Sequence, residues 1–303
     1  MEPAYVVQLV LNGLVNGCGY AVLGLCMSLI LSVTHRFHFA FALTYTLGGF
    51  VAAVLATKAG LPAPVALIVA IASTALLGGL IELIVYRPLA RRSPGSALLS
   101  IFVSSLGLTI AGQSAIQLLW ARTSAATSFP LTDIVTLQGP LGVRISNLDL
   151  IYGLTAIIIG IGAAIVLRYT SPGRVIRGVR DNPLMARAVG IDPARLYVLL
   201  FVVLSAVIGL FGALSAARFS ATPDMGYDPL FSAFVVAFVS GSAAPLSRVI
   251  LVGLGLGVLT SLSSIWVPTS LSAIVIFGVL FVYLSLQGYR TALRARTPRT
   301  RKA

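Results

Sequence analysis

The chain has 303 residues, of which 58% are hydrophobic and only 10% charged, with a formal net charge of +13. Soluble domains carry about 25% charged residues, so a soluble globular protein is excluded, and the long unbroken apolar runs exclude the alternating pattern of a transmembrane barrel. No glycine-rich phosphate loop, His/Glu metal cluster or cysteine pair at metal spacing is present, which leaves no basis for a built-in ATPase or metalloenzyme.

Nine apolar stretches follow one another, at about 5–33, 37–57, 62–85, 97–119, 148–167, 195–217, a shorter 229–244, 249–267 and 269–287. A membrane-spanning helix needs roughly 20 apolar residues. The expected fold class is therefore an all-α polytopic membrane protein of about eight or nine transmembrane helices, one or two of them short or broken. With the N-terminus outside, 17 of the 21 basic residues fall on the cytosolic side. That bias fixes the orientation and accounts for the high positive charge without nucleic acid. The C-terminus is then cytosolic. The organisation expected is one transmembrane domain over 1–288, containing a cytosolic basic loop at 168–195 (the coupling loop of the family resemblance given below), and a basic cytosolic tail at 289–303.

In the first stretch, Asn12, Asn16 and Tyr20 recur every four residues as a polar stripe, with Gly13 and Gly17 beside it. The glycines read as close helix packing, and the asparagines as either interhelical glue or lining of a solute route. Cys18 and Cys26, eight residues apart in an apolar run, read as small buried residues. The second stretch opens His35-Arg36-Phe37-His38-Phe39-Ala40-Phe41 and goes on through Thr44, Tyr45 and Thr46 to Gly48-Gly49. Two histidines without a third ligand make a poor metal site, whereas His38, Phe41, Thr44 and Tyr45 suit contact with a solute. Glu82, near the cytosolic end of the third stretch, needs a cationic partner, expected to be Arg87 or an arginine of the coupling loop. Ser105, Thr109, Gln113 and Gln117 stripe the fourth. The external loop from Trp120 to Asn147, with Arg122, Arg144, Asp133, Pro130 and Gly139-Pro140, is long enough to fold over the outer mouth or receive a partner.

The coupling loop is the most distinctive segment. Arg168, Arg174, Arg177, Arg180, Arg187 and Arg195 face only Asp181 and Asp192. Ser171-Pro172, Asn182-Pro183 and Asp192-Pro193 each pair a capping side chain with a proline at a helix start, and Gly190 is placed to stop the middle piece. Two short helices, about 172–180 and 183–189, are expected to feed a third from Pro193. Topology alone explains arginines in a cytosolic loop, but not three cap–proline starts.

Beyond Gly209 and Gly212 of the sixth stretch comes a turn-rich segment, Arg218 to Pro229, with Asp224 and Asp228. The short seventh stretch follows and ends at Ser240-Gly241-Ser242-Ala243-Ala244-Pro245. Short, Gly/Pro-interrupted hydrophobic segments mark broken helices along transport routes. The eighth stretch carries a packing face of Gly253, Gly255 and Gly257. The basic tail, with Arg290, Arg294, Arg296, Arg299, Arg301 and Lys302, suits attraction to anionic membrane lipid.

These features resemble the permease subunits of bacterial ABC importers for branched-chain amino acids, a family that extends to urea and short amides. The resemblance rests on Asn12-Gly13-Leu14-Val15-Asn16-Gly17, on Glu82 with Tyr86-Arg87-Pro88-Leu89, and on Gly173-Arg174, Arg177, Asp181, Ala186, Gly190-Ile191-Asp192 and Arg195. Gly209, Gly212 and the Pro223…Gly226 pair add to it. It implies a bacterial inner-membrane chain that pairs with a second permease, in a homo- or heterodimer, and with two cytosolic ABC ATPases that bind ATP and magnesium. The chain itself then holds no cofactor and no catalytic residue, and an extracytoplasmic solute-binding protein delivers the substrate. ATPase coupling would fall to Arg174, Val175, Ile176, Arg177, Arg180, Asp181, Leu184, Met185, Arg187 and Gly190. The solute pathway would be lined by Asn12, Asn16, His38, Phe41, Thr44, Tyr45, Ser105, Thr109, Gln113, Asp224 and Ser240. Where the family commonly has Asn-Phe-Ala-His-Gly followed by Glu, this chain reads His38-Phe39-Ala40-Phe41-Ala42-Leu43. A second departure is Ser240-Gly241-Ser242-Ala243-Ala244-Pro245, where the family usually has a Gly-Gly and further glycines. The substrate expected is an amino acid, or a related small organic acid or amide, with an apolar or aromatic part. The alternative is an ATP-independent secondary transporter or channel, which needs an ionisable residue at membrane depth.

Overall fold

The computed structural model describes residues 3–92, 97–120, 129–132, 135–138, 143–241, 244–268 and 271–296. Arg122, Asp133, Gly139-Pro140, Ser242-Ala243 and the tail residues Arg299, Arg301 and Lys302 lie outside these. In chain order the helices are α1 (Pro3–Thr34), α2 (Phe41–Thr57), α3 (Ala63–Leu80), continued by a π-helical turn (Ile81–Tyr86) into α4 (Arg87–Arg92), α5 (Ala97–Trp120), α6 (Asn147–Tyr169), α7 (Ser171–Asp181), α8 (Pro183–Ala188), α9 (Pro193–Arg218), α10 (Tyr227–Ser240), α11 (Leu246–Ser263) and α12 (Ser272–Arg296). All nine apolar stretches are helical, and six of the helices are long and apolar enough to cross a membrane. The chain is an all-α polytopic membrane protein. Among the described residues the one departure is a small antiparallel hairpin between α5 and α6, β1 (Thr136–Gln138) with β2 (Arg144–Ser146), pairing Thr136 with Ser146. Residues 289–296, read from the sequence as the start of a tail, prolong α12.

Glycine decides which helices touch. Gly13 and Gly17 of α1 lie against the backbone of α11 at Val258 and Leu254, and a Cβ at either would come within 2.8 Å of a main-chain Cα. Gly48 and Gly49 of α2 meet Gly209 and Gly212 of α9 in the same way. With no hydrophobic drive between helices in lipid, such close backbone approach is the main source of association. α2 is consequently buried along most of its length, with α9 beside it. By contrast α5, α6 and α12 turn Leu99, Ile110, Leu118, Ile158, Ile161, Ile274 and Phe281 outward from the bundle.

Two helices are too short to cross alone. α2 has 17 residues and α10 has 14, about 26 and 21 Å at 1.5 Å per residue, against a hydrocarbon core of about 30 Å. Their N-terminal ends meet inside the fold: Gly226, which precedes α10, sits against the Ala42 carbonyl and Thr46 of α2, and Met225 covers Gly49. Each is reached by an irregular segment, 35–40 for α2 and 219–226 for α10. The sequence reading began the second helix at Phe37. The structure starts it at Phe41, because His35 adopts a left-handed φ of 52° and breaks the helix before it.

Candidate functional site

Three regions carry the polar chemistry. The first is the basic loop, folded as the expected short helices α7 and α8. Thr170, rather than Ser171, caps α7 by accepting from the Gly173 N–H at 3.4 Å. Asn182 caps α8 by accepting from Leu184 and Met185 at 3.1 and 3.0 Å, and Asp192 caps α9 through Ala194 at 2.9 Å. Gly190, at φ 87°, ends α8 as the Ile191 N–H reaches the Ala186 carbonyl at 3.0 Å. Gly173, Ile176 and Val179 form the inward face of α7, and Arg177 donates to the Leu167 carbonyl, which folds α7 back against α6. Val175 is partly buried, and Arg180 pairs with Asp181 at 3.0 Å. What remains outward is Arg174, Asp181, Arg187, Gly190 and three large apolar side chains: Leu184 (75% exposed), Met185 (63%) and Val189 (70%). Of the residues read as coupling contacts, Ile176 and Arg177 are therefore spent inside the subunit, while Leu184, Met185 and Arg187 are free to be touched.

The second region is the break between α1 and α2. Arg36, brought inward by the left-handed turn, pairs with Glu82 in a buried contact, so the partner is neither Arg87 nor an arginine of the coupling loop, as read from the sequence. The Tyr197 ring of α9 lies 5.2 Å from the Arg36 guanidinium. Glu82 sits in the π-helical turn. Pro88 explains that turn: it lacks the N–H that would bond Ile84 in an α-helix, and a π-turn absorbs the lost bond and the ring clash. His38 is fully buried, its Nδ1 3.0 Å from the Tyr86 hydroxyl and its ring 5.0 Å from that of Phe201. Non-helical backbone at membrane depth must find partners, and α5 supplies them. Thr109 donates to the Phe39 carbonyl at 3.0 Å, and the Ser105 hydroxyl lies 3.4 Å from the Phe37 carbonyl. Aromatic rings seal the segment, with Phe39 against Phe102 at 4.9 Å and Phe37 stacked on Phe238 at 6.1 Å between centroids. His38, Phe41, Thr44, Tyr45, Ser105, Thr109, Gln113 and Ser240, all read as route-lining, are buried within the single chain. Thr44 donates to the Ala40 carbonyl at 2.9 Å.

The third region lies toward the pole of the β hairpin. Asn12 is exposed, and Asn16 and Tyr20 are half-buried. Gln8 donates to Asn12 at 3.0 Å and to the Arg144 carbonyl at 2.8 Å, tying α1 to the hairpin. Arg218 at the end of α9 donates to Asp149 at 2.8 Å and Asn16 at 3.1 Å, with its guanidinium 4.5 Å from the Tyr152 ring centroid. Asp149 also closes the capping box that Ser146 begins on α6. Tyr20 faces Ser232, Thr260 and Asp228, and Asp224 and Asp228 are exposed. Asn12, Asn16 and Asp224 of the sequence reading therefore share one polar face. Arg218 and Asp149, which complete it, were missed; the Ser146-x-x-Asp149 capping pattern was the one signal available for either. Phe129 is fixed beside this face, with its N–H bonded to the Ala216 carbonyl at 3.1 Å and its ring buried.

A bundle of apolar helices packed on glycine, two short helices meeting inside it and polar faces within the bundle together point to a membrane transport subunit. The sequence matches the family model described as "Branched-chain amino acid transport system / permease component" over residues 9–284, and the chain belongs to that family. It is 24% identical to the high-affinity branched-chain amino acid transport system permease protein LivH of Salmonella typhimurium, over 92% of this chain and 93% of that one. It is 23% identical to LivH of Escherichia coli strain K12, over 92% and 93%, and 26% identical to BraD of Pseudomonas aeruginosa, over 93% and 94%. Among solved structures, PsaBC from Streptococcus pneumoniae in complex with Fab aligns with a TM-score of 0.47 and 16% identity, over 92% of this chain and 89% of that one.

Proposed function

We propose that this chain is the permease subunit of an ABC importer in the bacterial inner membrane, carrying a small solute such as an amino acid, or a related organic acid or amide with an apolar or aromatic part. It works with a second permease subunit, two cytosolic ATPases that bind ATP and magnesium, and an extracytoplasmic solute-binding protein. The chain contributes the route and the mechanical link and no catalysis of its own. The observation that carries this reading is the apolar patch Leu184–Met185–Val189, exposed on a rigidly capped helix within an arginine-rich loop. A soluble loop has no reason to hold three large apolar side chains in water, and exposed patches of this kind mark protein contacts. Arg187 beside them suits bidentate pairing with carboxylates of the partner. Closure of the ATPase dimer would push on α8, and the caps would pass that displacement to α6 and α9 without fraying. A rocking motion of packed helices about a midplane route would follow.

Met185→Asp is expected to abolish co-purification of the ATPase and solute uptake while leaving the chain's abundance in the membrane unchanged, since Met185 is 63% exposed within the subunit. Arg177→Glu, which breaks the hold on the Leu167 carbonyl, is expected to lower abundance as well. Full ATPase binding and transport by Met185→Asp would overturn the docking role.

A further inference from the structure

The described residues include six acids, and four are paired: Glu82 with Arg36, Asp149 with Arg218, Asp181 with Arg180 and Asp192 with Arg195. Asp224 and Asp228 have no cationic partner among the described residues, yet both are exposed. They do not lie at the membrane surface. Asp228 faces Tyr20, which is 14 residues from the Thr34 end of the 32-residue α1, a rise of about 21 Å. Gly226, between the two acids, rests on Ala42 and Thr46 where α2 begins. An unpaired acid at that depth is costly and marks a wet route rather than a lipid contact.

A second observation points to a ligand. Ser232, one helical turn beyond Asp228 on the same face of α10, is fully buried and turns its hydroxyl toward Tyr20. The Thr46 hydroxyl, against Gly226 between the two acids, is fully buried and has no hydrogen-bond partner among the described residues. Serines and threonines in membrane helices ordinarily bond back to their own helix, as Thr44 and Thr109 do here. Alongside run Tyr227 and Phe231, with ring centroids 6.2 Å apart, and Phe277 at 4.9 Å from Phe231.

We infer that Asp224 and Asp228, with Ser232 and Tyr20, form a recognition site for an organic ammonium group, and that Tyr227, Phe231 and Phe277 receive the apolar part of the same solute. The inference rests on the permease reading and narrows its substrate class, favouring ammonium-bearing solutes over simple organic acids. Two carboxylates attract a cation and repel an anion, and the aromatic faces add cation–π attraction. Arg218 is not available for the solute's carboxylate, because Asp149 and Asn16 hold it and its side chain is 8% exposed. A divalent metal is a poorer match, as no group of three or more metal-ligating side chains gathers among the described residues. The depth of Asp228 favours a small solute over a docking protein.

The test uses the full-length chain in lipid nanodiscs with Cys18 and Cys26 replaced by serine and a reporter introduced by Thr260→Cys, beside Tyr20. Asn12→Cys, nearer the mouth, serves as a second reporter should the first fold poorly. Methanethiosulfonate reagents carrying a trimethylammonium or a sulfonate group are compared. The cationic reagent is expected to react faster by about tenfold, and Asp224→Asn/Asp228→Asn should bring the ratio near one. L-Leucinamide, which has an ammonium but no carboxylate, should slow labelling, and 4-methylpentanoate should not. Equal rates for the two reagents, a ratio unchanged in the double variant, or equal protection by the two solutes would overturn the site. So would shielding by a basic protein partner with none by leucinamide. The readout needs neither ATP nor transport, so its failure would leave the permease reading standing.

Discussion

Arg36→Met alone is expected to remove most of the folded chain from the membrane, and Arg36→Met combined with Glu82→Leu to restore much of it. The pair is buried, with side chains 8% and 1% exposed, and it joins the α1–α2 break to the π-helical turn. Removing one partner leaves a bare charge in a medium that cannot solvate it, which costs about 3–5 kcal/mol. Removing both leaves an apolar contact of similar volume, and such replacements are often neutral. Glu82→Leu alone should be as harmful, because Arg36 then keeps only the Tyr197 ring. The measurement is the monodisperse fraction after extraction, together with the melting temperature of what remains. A single variant as stable as the parent would show that water reaches the pair. The double variant is also informative about coupling. If it folds and holds the ATPase but hydrolyses ATP without uptake, the ion pair transmits motion between the break and α9 in addition to stabilising the fold.

Gly212→Val is expected to be of similar severity, and Gly255→Val close to silent. A Cβ at position 212 would run into the Tyr45 carbonyl of α2 and lie 3.3 Å from the Gly49 nitrogen, whereas one at 255 meets nothing within 4 Å. Overpacking against a side chain can relax, but a backbone cannot move aside without separating α2 from α9. The cost is therefore placed at the upper end of the usual range, about 3 kcal/mol or more. Both positions are glycines in apolar helices, so the contrast isolates contact from helix propensity. Comparable losses in the two variants, scored by membrane abundance and thermal stability, would mean that propensity rather than packing controls these positions.

The two variants bear on different halves of one design. α2 and α10 are short helices whose N-terminal ends meet. α2 is held from behind by α9 through glycine contacts. The irregular segment leading into it is held by hydroxyls of α5 and a ring of phenylalanines. Of the residues read from the sequence as lining a route, Ser105 and Thr109 meet the carbonyls of this segment, and His38 to Gln113 are buried within the single chain. The polar face that stays open lies on the other side of the junction, with Asn12, Asn16, Asp224 and Asp228.

Much of this molecule was legible in its sequence. Nine apolar stretches became nine helices because in lipid a helix is the way for a single segment to satisfy its own backbone. The cap–proline pairs marked α8 and α9 to the residue and α7 to within one, because capping is local chemistry. What could not be read was set by partners distant in the chain. Arg36 was one basic residue among 21 until a left-handed turn at His35 brought it to Glu82, 46 positions later. Arg218 was an outside charge until the packing of α1, α6 and α9 closed it between Asp149 and Asn16. That Ser105 and Thr109 meet the carbonyls of the irregular segment was not legible, because hydroxyls facing solute and hydroxyls facing an irregular backbone have the same spacing on a helix. Periodicity and capping fix what a segment becomes, but which charge meets which, and which polar face stays open, depends on where the glycines let the helices touch.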